Sequence, residues 1–148
     1  MSTYTQILYQ LVFSTKHRNP TLVKEHRRDL YKCMWGILNN KNCAIYQIGG
    51  VEDHTHIVFD LHPSIALANL VKDIKLGATS FIKEKEIFPD FQGWQDGYGA
   101  FTYSIDAKKS LVNYVMNQEE HHKTQSSIDE LRQLLNEFDI PFDERYFN

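Results

Sequence analysis

Residues 44–61, which read AIYQIGGVEDHTHIVFDL, are the stretch that most directly predicts the fold. Two apolar runs, Ala44 to Ile48 and His54 to Leu61, flank Gly49-Gly50, and this pattern predicts two antiparallel strands with the turn at the glycine pair. The second run places His54 and His56 two residues apart. Because side chains at this spacing share one face of a strand, both imidazoles are expected to reach one cation.

The residues before this hairpin predict one strand and one helix. Apolar residues alternate through residues 7–14, which is the period of a strand with one fully apolar face. Asn19-Pro20 ends that strand. Apolar residues then recur at helical spacing from Leu22 to Asn39-Asn40, which predicts the first helix.

The residues after the hairpin predict a second helix, a fourth strand and two further helices. Pro63-Ser64 is expected to open the second helix. Aromatic residues and Thr between Trp94 and Ser104 indicate a fourth strand with glycine kinks. Asp106 is expected to cap a third helix that runs to about His121. The spacing Ser127-x-x-Glu130 predicts a capping box for the last helix.

The order of these elements is βαββαβ followed by two helices. This order is typical of an α+β, ferredoxin-like split βαβ fold, in which helices cover one face of an antiparallel sheet. The additional C-terminal helices leave the third helix free to lie against the sheet near the histidine pair. A chain of 148 residues has the size of one domain, so residues 1–148 are predicted to form a single domain.

The composition of the chain bears on its cellular location, the state of its thiols and the way in which it could bind nucleic acid. No signal peptide and no apolar segment of about 18 residues is visible, which predicts a soluble, cytoplasmic protein without membrane contact. Cys33 and Cys43 have neither metal nor redox spacing and are expected to be buried free thiols. A net charge of −3 has the wrong sign for binding nucleic acid through overall charge, so any such site must be a local basic patch.

Tyr114 and Gln118 could supply a nucleophile and a third metal ligand beside the histidine pair. They are four residues apart and therefore share one face of the third helix. If that face covers the third strand, His54, His56 and the Gln118 carbonyl oxygen form a ligand set with open positions. Such a set suits Mg²⁺ or Mn²⁺ completed by water and a phosphate, and a phenol beside it is a candidate nucleophile.

Simpler interpretations of the same residues remain open at this point. Tyr114 fits a half-buried aromatic residue of an amphipathic helix, and His54 and His56 fit hydrogen-bonded sheet residues. His121-His122 could supply another ligand or a proton carrier, although a polar helix end explains them as well.

Five stretches, taken together and in order, resemble the single-tyrosine transposases of the smallest bacterial insertion sequences, which belong to the HUH nuclease superfamily, and their REP-associated relatives. The stretches are LVFSTKHR at 11–18, EDHTHIVF at 52–59, VKDIK at 71–75, WQDGY at 94–98 and VNYVMNQ at 112–118. The family usually has a bulky apolar residue where this chain has Thr55, a side chain that points away from the histidines.

The resemblance implies that Tyr114 is the nucleophile and that His54, His56 and Gln118 hold a divalent metal ion. It implies a DNA transposase that nicks and rejoins single-stranded DNA through a 5′-phosphotyrosine intermediate. It also implies DNA ends that contain hairpins. Insertion-sequence members usually act as homodimers in which the tyrosine can serve the other subunit, whereas the REP-associated relatives need not, so a homodimer is expected and a monomer remains the alternative. The expected contacts to the DNA backbone are Lys16, Arg18, Lys72 and Lys75.

Three alternatives to this function remain. A metal-dependent phosphoesterase or nuclease would use water as its nucleophile and would not need Tyr114. A non-catalytic descendant would bind single-stranded nucleic acid with the same fold, although the aromatic strand signature of the common RNA-binding sheet is absent from the sequence. A small sensory or assembly module would have no use for a tyrosine, a glutamine and two histidines at one place.

Overall fold

The computed structural model describes residues 2–147, and within them four strands and five α-helices are found. The strands are β1 (Leu8–Ser14), β2 (Ala44–Val51), β3 (His54–Asp60) and β4 (Gly99–Tyr103). The helices are α1 (Lys24–Asn40), α2 (Leu67–Lys85), α3 (Lys108–Met116), α4 (Gln118–His121) and α5 (Ser127–Glu137). Short 3-10 turns lie at Lys16–Arg18, Ile105–Ala107 and Glu144–Phe147.

The four strands form one antiparallel sheet in the order β2-β3-β1-β4. The ferredoxin-like α+β prediction is therefore confirmed. β1 and β3 are the inner strands, and His56 lies opposite Val12 in their register. This places the histidine pair on an inner strand of the sheet, with His54 as the first residue of β3.

Helices cover both faces of the sheet. α1 and α2 pack on the odd-numbered residues of β1 and β3, such as Leu11 and Ile57, and form the main core. Val58 and Leu8 face the opposite way and pack on Leu111 and Val115 of α3. Val12 on the same face packs on Leu134 of α5 and Phe101 of β4. His54 and His56 share this second face, so α3 and α5 are the layer that covers them.

The predicted hairpin turn at Gly49-Gly50 is wrong. β2 continues to Val51, and Glu52 and Asp53 form the turn. Gly49 has a packing reason instead, because a Cβ atom there would lie 2.3 Å from the carbonyl oxygen of Val115 on α3. The glycine therefore marks close approach between the sheet and the third helix.

Three other element boundaries also differ from the prediction. The fourth strand begins at Gly99 and not at Trp94, which forms only an isolated bridge with Thr15. α2 begins at Leu67, three residues after the predicted opening at Pro63-Ser64. Asp106 lies inside a 3-10 turn and does not cap α3.

The predicted last helix forms, but its cap is shifted by one residue. Ser126 is the N-cap, and its hydroxyl accepts a hydrogen bond from the backbone N–H of Asp129 at 3.1 Å. The predicted capping box of Ser127 and Glu130 is therefore wrong. Both side chains point into the protein, where they take part in the site described below.

Two smaller expectations concern the thiols and the membrane. Cys33 and Cys43 are both free, and Cys43 is buried whereas Cys33 is partly exposed. Among residues 2–147, none of the helices combines the length and apolar character needed to cross a bilayer.

Replacing Gly49 by alanine is expected to destabilise the protein by about 1–3 kcal/mol, because the new methyl group meets rigid backbone of α3. Gly36→Ala is the matched control. Gly36 lies in the exposed part of α1 with nothing within 4 Å of an added Cβ, so alanine there should stabilise by up to about 1 kcal/mol. Urea unfolding of both variants measures the difference, and a Gly49→Ala variant as stable as the unsubstituted protein would contradict the close approach.

Candidate functional site

The histidine pair forms the floor of the site. His54 and His56 point to the same face of β3, their ring centroids are 4.9 Å apart, and they are 1% and 0% exposed. Thr55 between them faces the opposite layer and is also buried. Strand periodicity thus brings both imidazoles under α3 and α5.

Tyr114 and Gln118 reach this floor from above. The Gln118 side-chain carbonyl oxygen lies 3.1 Å from Nε2 of His54, and the Tyr114 ring centroid is 6.0 Å from that of His56. α3 ends at Met116, and Asn117, with φ −99° and ψ 24°, separates it from α4. Gln118 therefore opens a new short helix and does not continue the helix of Tyr114. The four predicted residues still converge at one place.

Glu130 is the central residue of the site and was not predicted. Its Oε1 atom lies 3.2 Å from Nε2 of His54, 2.9 Å from Nε2 of His56 and 3.2 Å from Nε2 of His122. Its Oε2 atom accepts hydrogen bonds from the Tyr114 hydroxyl and from the Gln118 amide, the latter at 3.1 Å. Glu130 is only 2% exposed. We call His54, His56, His122 and Glu130 the His/Glu cluster.

The sequence held one signal for each missed residue. Glu130 lies in the first turn of α5, where a carboxylate also suits a capping role, so its position did not distinguish the two roles. His122 belongs to the His121-His122 pair for which a ligand role was one of the options. Its ring centroid lies 4.6 Å from that of His54, which brings it into the cluster.

Hydrogen bonds at the far side of each ring orient all three imidazoles. Nδ1 of His54 faces Oδ1 of Asp53 at 2.7 Å, and Nδ1 of His56 faces Oε1 of Gln10 at 2.7 Å. Nδ1 of His122 faces the backbone carbonyl oxygen of Gln125 at 2.6 Å. Because these oxygens can only accept, each Nδ1 carries the donated proton. In the neutral rings, each Nε2 lone pair then points to the centre of the cluster.

The charges within the cluster are strongly coupled. Burial opposes the charged form of Glu130, but the adjacent imidazoles of His122, His54 and His56 hold its pKa well below the usual range. Burial lowers the pKa of His54, yet its hydrogen bonds to Asp53 and Glu130 outweigh this and raise it to about 9. Burial lowers the pKa of His56 to about 4. The cluster thus keeps an ionised carboxylate and holds positive charge beside it.

Tyr114 is held in its neutral form. Burial, together with the hydrogen bond to Glu130 and that residue's negative charge, raises the pKa of the phenol far above its ordinary value. A phenol in this state is a poor nucleophile. Its activation therefore requires added positive charge at the cluster or transfer of its proton.

The His/Glu cluster fits a metal ion. One ligand atom from each of the four residues lies within 4.8 Å of the other three, close enough for all to bind one cation. The buried Nε2 of His122 has no hydrogen-bond partner among the described residues, although it lies 3.2 Å from Glu130. Three imidazole nitrogens and a carboxylate oxygen that converge in this way are ligands that one cation can bind when it displaces the protons of the nitrogens.

A cleft between β1 and α5, which we call the β1–α5 cleft, opens beside the cluster and has a volume of about 480 Å³. Its wall includes His54, Glu130, Ser127, Arg18 and Tyr98. A second cavity of about 300 Å³ lies on the other side of Glu130 and contains Tyr114. The cluster is therefore reached from two sides of α5.

The four predicted DNA contacts lie in different surroundings. Arg18 lines the β1–α5 cleft, and its Nη1 donates to the Ser14 hydroxyl at 2.8 Å. Lys16 and Lys72 are exposed. Lys75 donates to the backbone carbonyl oxygens of Gln95 at 2.9 Å and Gly97 at 2.7 Å, so its ammonium group holds the loop before β4.

A buried arginine sets the position of α4. Arg27 on α1 lies 2.8 Å from Glu119 on α4 and 3.4 Å from Glu52 in the β2–β3 turn, and it donates to the backbone oxygen of Leu22 at 2.9 Å. The guanidinium group joins three segments that flank the site. Gln118, next to Glu119, is thereby held over the histidine pair.

Comparison with known proteins relates the chain to one family. Residues 3–118 match the family described as "Transposase IS200 like". The crystal structure of a candidate transposase from Deinococcus radiodurans R1 is similar at 21% sequence identity, with a TM-score of 0.60, and the match covers 80% of this chain and 95% of that one. The structure of a REP-associated tyrosine transposase bound to a REP hairpin is similar at 16% identity, with a TM-score of 0.61, and covers 82% and 74% of the two chains. No curated protein matches the sequence.

Divalent metal in excess is expected to stabilise the folded protein, because the cluster is assembled only in the folded state. A concentration 100 times the dissociation constant should add about 2.7 kcal/mol to the free energy of unfolding. Thermal unfolding with Mn²⁺ and then with a chelator measures this gain and its reversal. His54→Asn should remove the response, and an equal shift of the melting temperature in that variant would contradict a site at the cluster.

Proposed function

The chain belongs to the family of IS200-like transposases, and from this premise we propose that it nicks and rejoins single-stranded DNA through a 5′-phosphotyrosine intermediate on Tyr114. Members of this family are enzymes that act on DNA. The observation that carries the proposal is the position of the Tyr114 hydroxyl, which shares the Glu130 carboxylate with the imidazoles of His54 and His56.

In the proposed reaction the Tyr114 oxygen attacks the phosphorus atom of a phosphodiester. The new bond joins this oxygen to the 5′-phosphate, the bond from phosphorus to the 3′ oxygen breaks, and the phenol proton is lost while the 3′ oxygen gains one. His54, His56 and Gln118 would hold Mg²⁺ or Mn²⁺, which as a Lewis acid offsets charge on the scissile phosphate. The hydrogen bond from Tyr114 to Glu130 sets the direction of the phenol oxygen.

Rejoining is the reverse of this step with a different strand. A 3′-hydroxyl attacks the phosphotyrosine, its proton is released, and the Tyr114 oxygen leaves and regains a proton. The number of phosphodiester bonds is preserved, so no nucleotide cofactor is consumed. The Tyr114 side chain lines a cavity of about 300 Å³ that also contains Glu130, which gives an incoming strand access to the proposed covalent link.

The proposed substrate is single-stranded DNA with hairpin-containing ends. The similar REP-associated enzyme is bound to a REP hairpin, which supports this class of ligand. The net charge of −3 requires local contacts to phosphates, and we propose Lys16, Arg18, Lys72 and Lys75 for them. Of these, Arg18 lies beside the cluster in the β1–α5 cleft. A homodimer and a cytoplasmic location are part of the same proposal.

Tyr114→Phe is expected to abolish the covalent adduct with DNA and to leave metal binding intact, because it removes only the attacking oxygen. The measurement is a denaturation-resistant protein–DNA band after incubation with Mn²⁺ and single-stranded DNA drawn from the flanks of the gene. Tyr4→Phe, at a side chain that is 90% exposed, is the matched control and should form the adduct normally. Cleavage that persists in Tyr114→Phe would support the water-dependent nuclease instead.

Arg18→Ala is expected to weaken binding of single-stranded DNA and to reduce its salt dependence. Loss of one phosphate contact should lower the slope of log K against log salt concentration by about 0.7. Fluorescence anisotropy across a salt series measures this slope. Lys32→Ala, at an exposed lysine of α1 outside the four proposed contacts, is the matched control and should leave the slope unchanged. An unchanged slope in Arg18→Ala would remove Arg18 from the DNA contacts.

A further inference from the structure

The match to the family covers residues 3–118, and two members of the His/Glu cluster, His122 and Glu130, lie beyond it. We propose that this C-terminal segment completes the metal centre, with His122 and Glu130 binding the metal ion beside His54 and His56. In the same proposal, Oε2 of Glu130 accepts the hydrogen bond from the Tyr114 hydroxyl and so keeps the nucleophile beside the metal ion. The inference rests on the proposed function, since it concerns the metal site of that reaction.

The first support is the direction of the ligand atoms. Oε1 of Glu130 lies between 2.9 and 3.2 Å from Nε2 of His54, His56 and His122. The opposite nitrogen of each ring donates to an oxygen, so each Nε2 of a neutral ring presents a lone pair. A cation that displaces the Nε2 protons would therefore meet three imidazole nitrogens and one carboxylate oxygen directed at one point.

The second support is burial. The side chains of His122 and Glu130 are 7% and 3% exposed, and Nε2 of His122 has no hydrogen-bond partner among the described residues. An unpartnered imidazole nitrogen is unfavourable in the interior of a folded protein. One cation in contact with this nitrogen and with Glu130 would supply the missing partner.

The third support is that α5 is held in place by contacts outside the cluster. The Ser127 hydroxyl donates to Asp53 at 2.7 Å, and Asp53 in turn accepts from Nδ1 of His54. Farther along the helix, Leu134 packs on Val12 and Phe101. The first turn of α5 therefore presents Glu130 to the histidines as part of a preformed site.

Glu130 also joins the cluster to the nucleophile. Oε1 faces the imidazoles, whereas Oε2 accepts from the Tyr114 hydroxyl and from the amide of Gln118. A metal bound at Oε1 would thus lie on the same carboxylate as the attacking phenol. Glu130 is a positioning residue in this arrangement, because it sets the distance between Tyr114 and the metal.

The enlarged ligand set changes the expected metal. Three imidazole nitrogens and one carboxylate oxygen favour first-row transition ions, whereas Mg²⁺ prefers oxygen ligands and retained water. The centre should therefore bind Mn²⁺ or Co²⁺ in preference to Mg²⁺. His54, His56 and Gln118 alone would give a weaker preference, since that set contains only two imidazoles.

The experiment is titration of the full chain with Mn²⁺ by isothermal calorimetry, with Co²⁺ absorption as an independent readout of nitrogen ligation. His122→Asn and Glu130→Gln should each lower Mn²⁺ affinity at least about tenfold. Glu137→Gln, at an exposed carboxylate of the same helix, is the matched control and should bind like the unsubstituted protein. Competition with Mg²⁺ should displace little Mn²⁺.

The outcomes separate this inference from the proposed function. Unchanged Mn²⁺ affinity in both His122→Asn and Glu130→Gln, with loss in His54→Asn, would overturn the inference and leave the transposase proposal intact. Tight Mn²⁺ binding that is weakened in His122→Asn and Glu130→Gln, without any DNA adduct in the unsubstituted protein, would overturn the transposase proposal and leave the inference about the metal centre intact. Circular dichroism of each variant monitors folding, and the two substitutions lie on separate segments, so a folding defect in one leaves the other as the test.

Discussion

The carboxylate of Glu130, buried among three imidazoles, is the interaction on which the site depends. Removing a carboxylate from water is costly, and the cost is offset only when several groups converge on it with good geometry. The groups around Glu130 of α5 come from three other segments. His54 and His56 belong to β3, His122 to the segment after α4, and Tyr114 to α3. The charge therefore requires that these four segments lie together. The same requirement makes the cluster suited to a cation.

The rest of the fold holds these segments in register. Strand pairing places His54 and His56 on the inner strand β3, with both side chains on one face. Gly49 lets the backbone of α3 approach the sheet, which brings Tyr114 down to the histidines. Arg27 ties α4 to α1 and to the β2–β3 turn, which fixes the residue beside Gln118. Each of these contacts is remote from the reacting atoms, yet each sets the position of one of them.

The site combines features that the proposed reversible DNA transfer needs. The Tyr114 phenol is neutral and hydrogen-bonded to Glu130, so in the proposed reaction it would remain unreactive until a metal ion and a phosphate are both bound. The cluster is buried, and Arg18, a proposed phosphate contact, lies in the β1–α5 cleft beside it. An overall charge of −3 agrees with recognition by such local contacts and not by the field of the whole protein.

Local periodicity and spacing predicted the βαββαβ order and the shared face of His54 and His56, and the family resemblance added the convergence of Tyr114 and Gln118 on that face. Local patterns failed at Gly49-Gly50, where a glycine needed for helix packing has the sequence of a turn, and at Glu130, where a buried carboxylate has the spacing of a capping box. Glu130 and His56 are 74 residues apart, and no local pattern records which face of α5 meets the sheet. The sequence by itself thus determined the elements and half of the site. Only the tertiary structure decided the other half, because the choice between a solvated cap and a buried ligand depends on packing between distant segments.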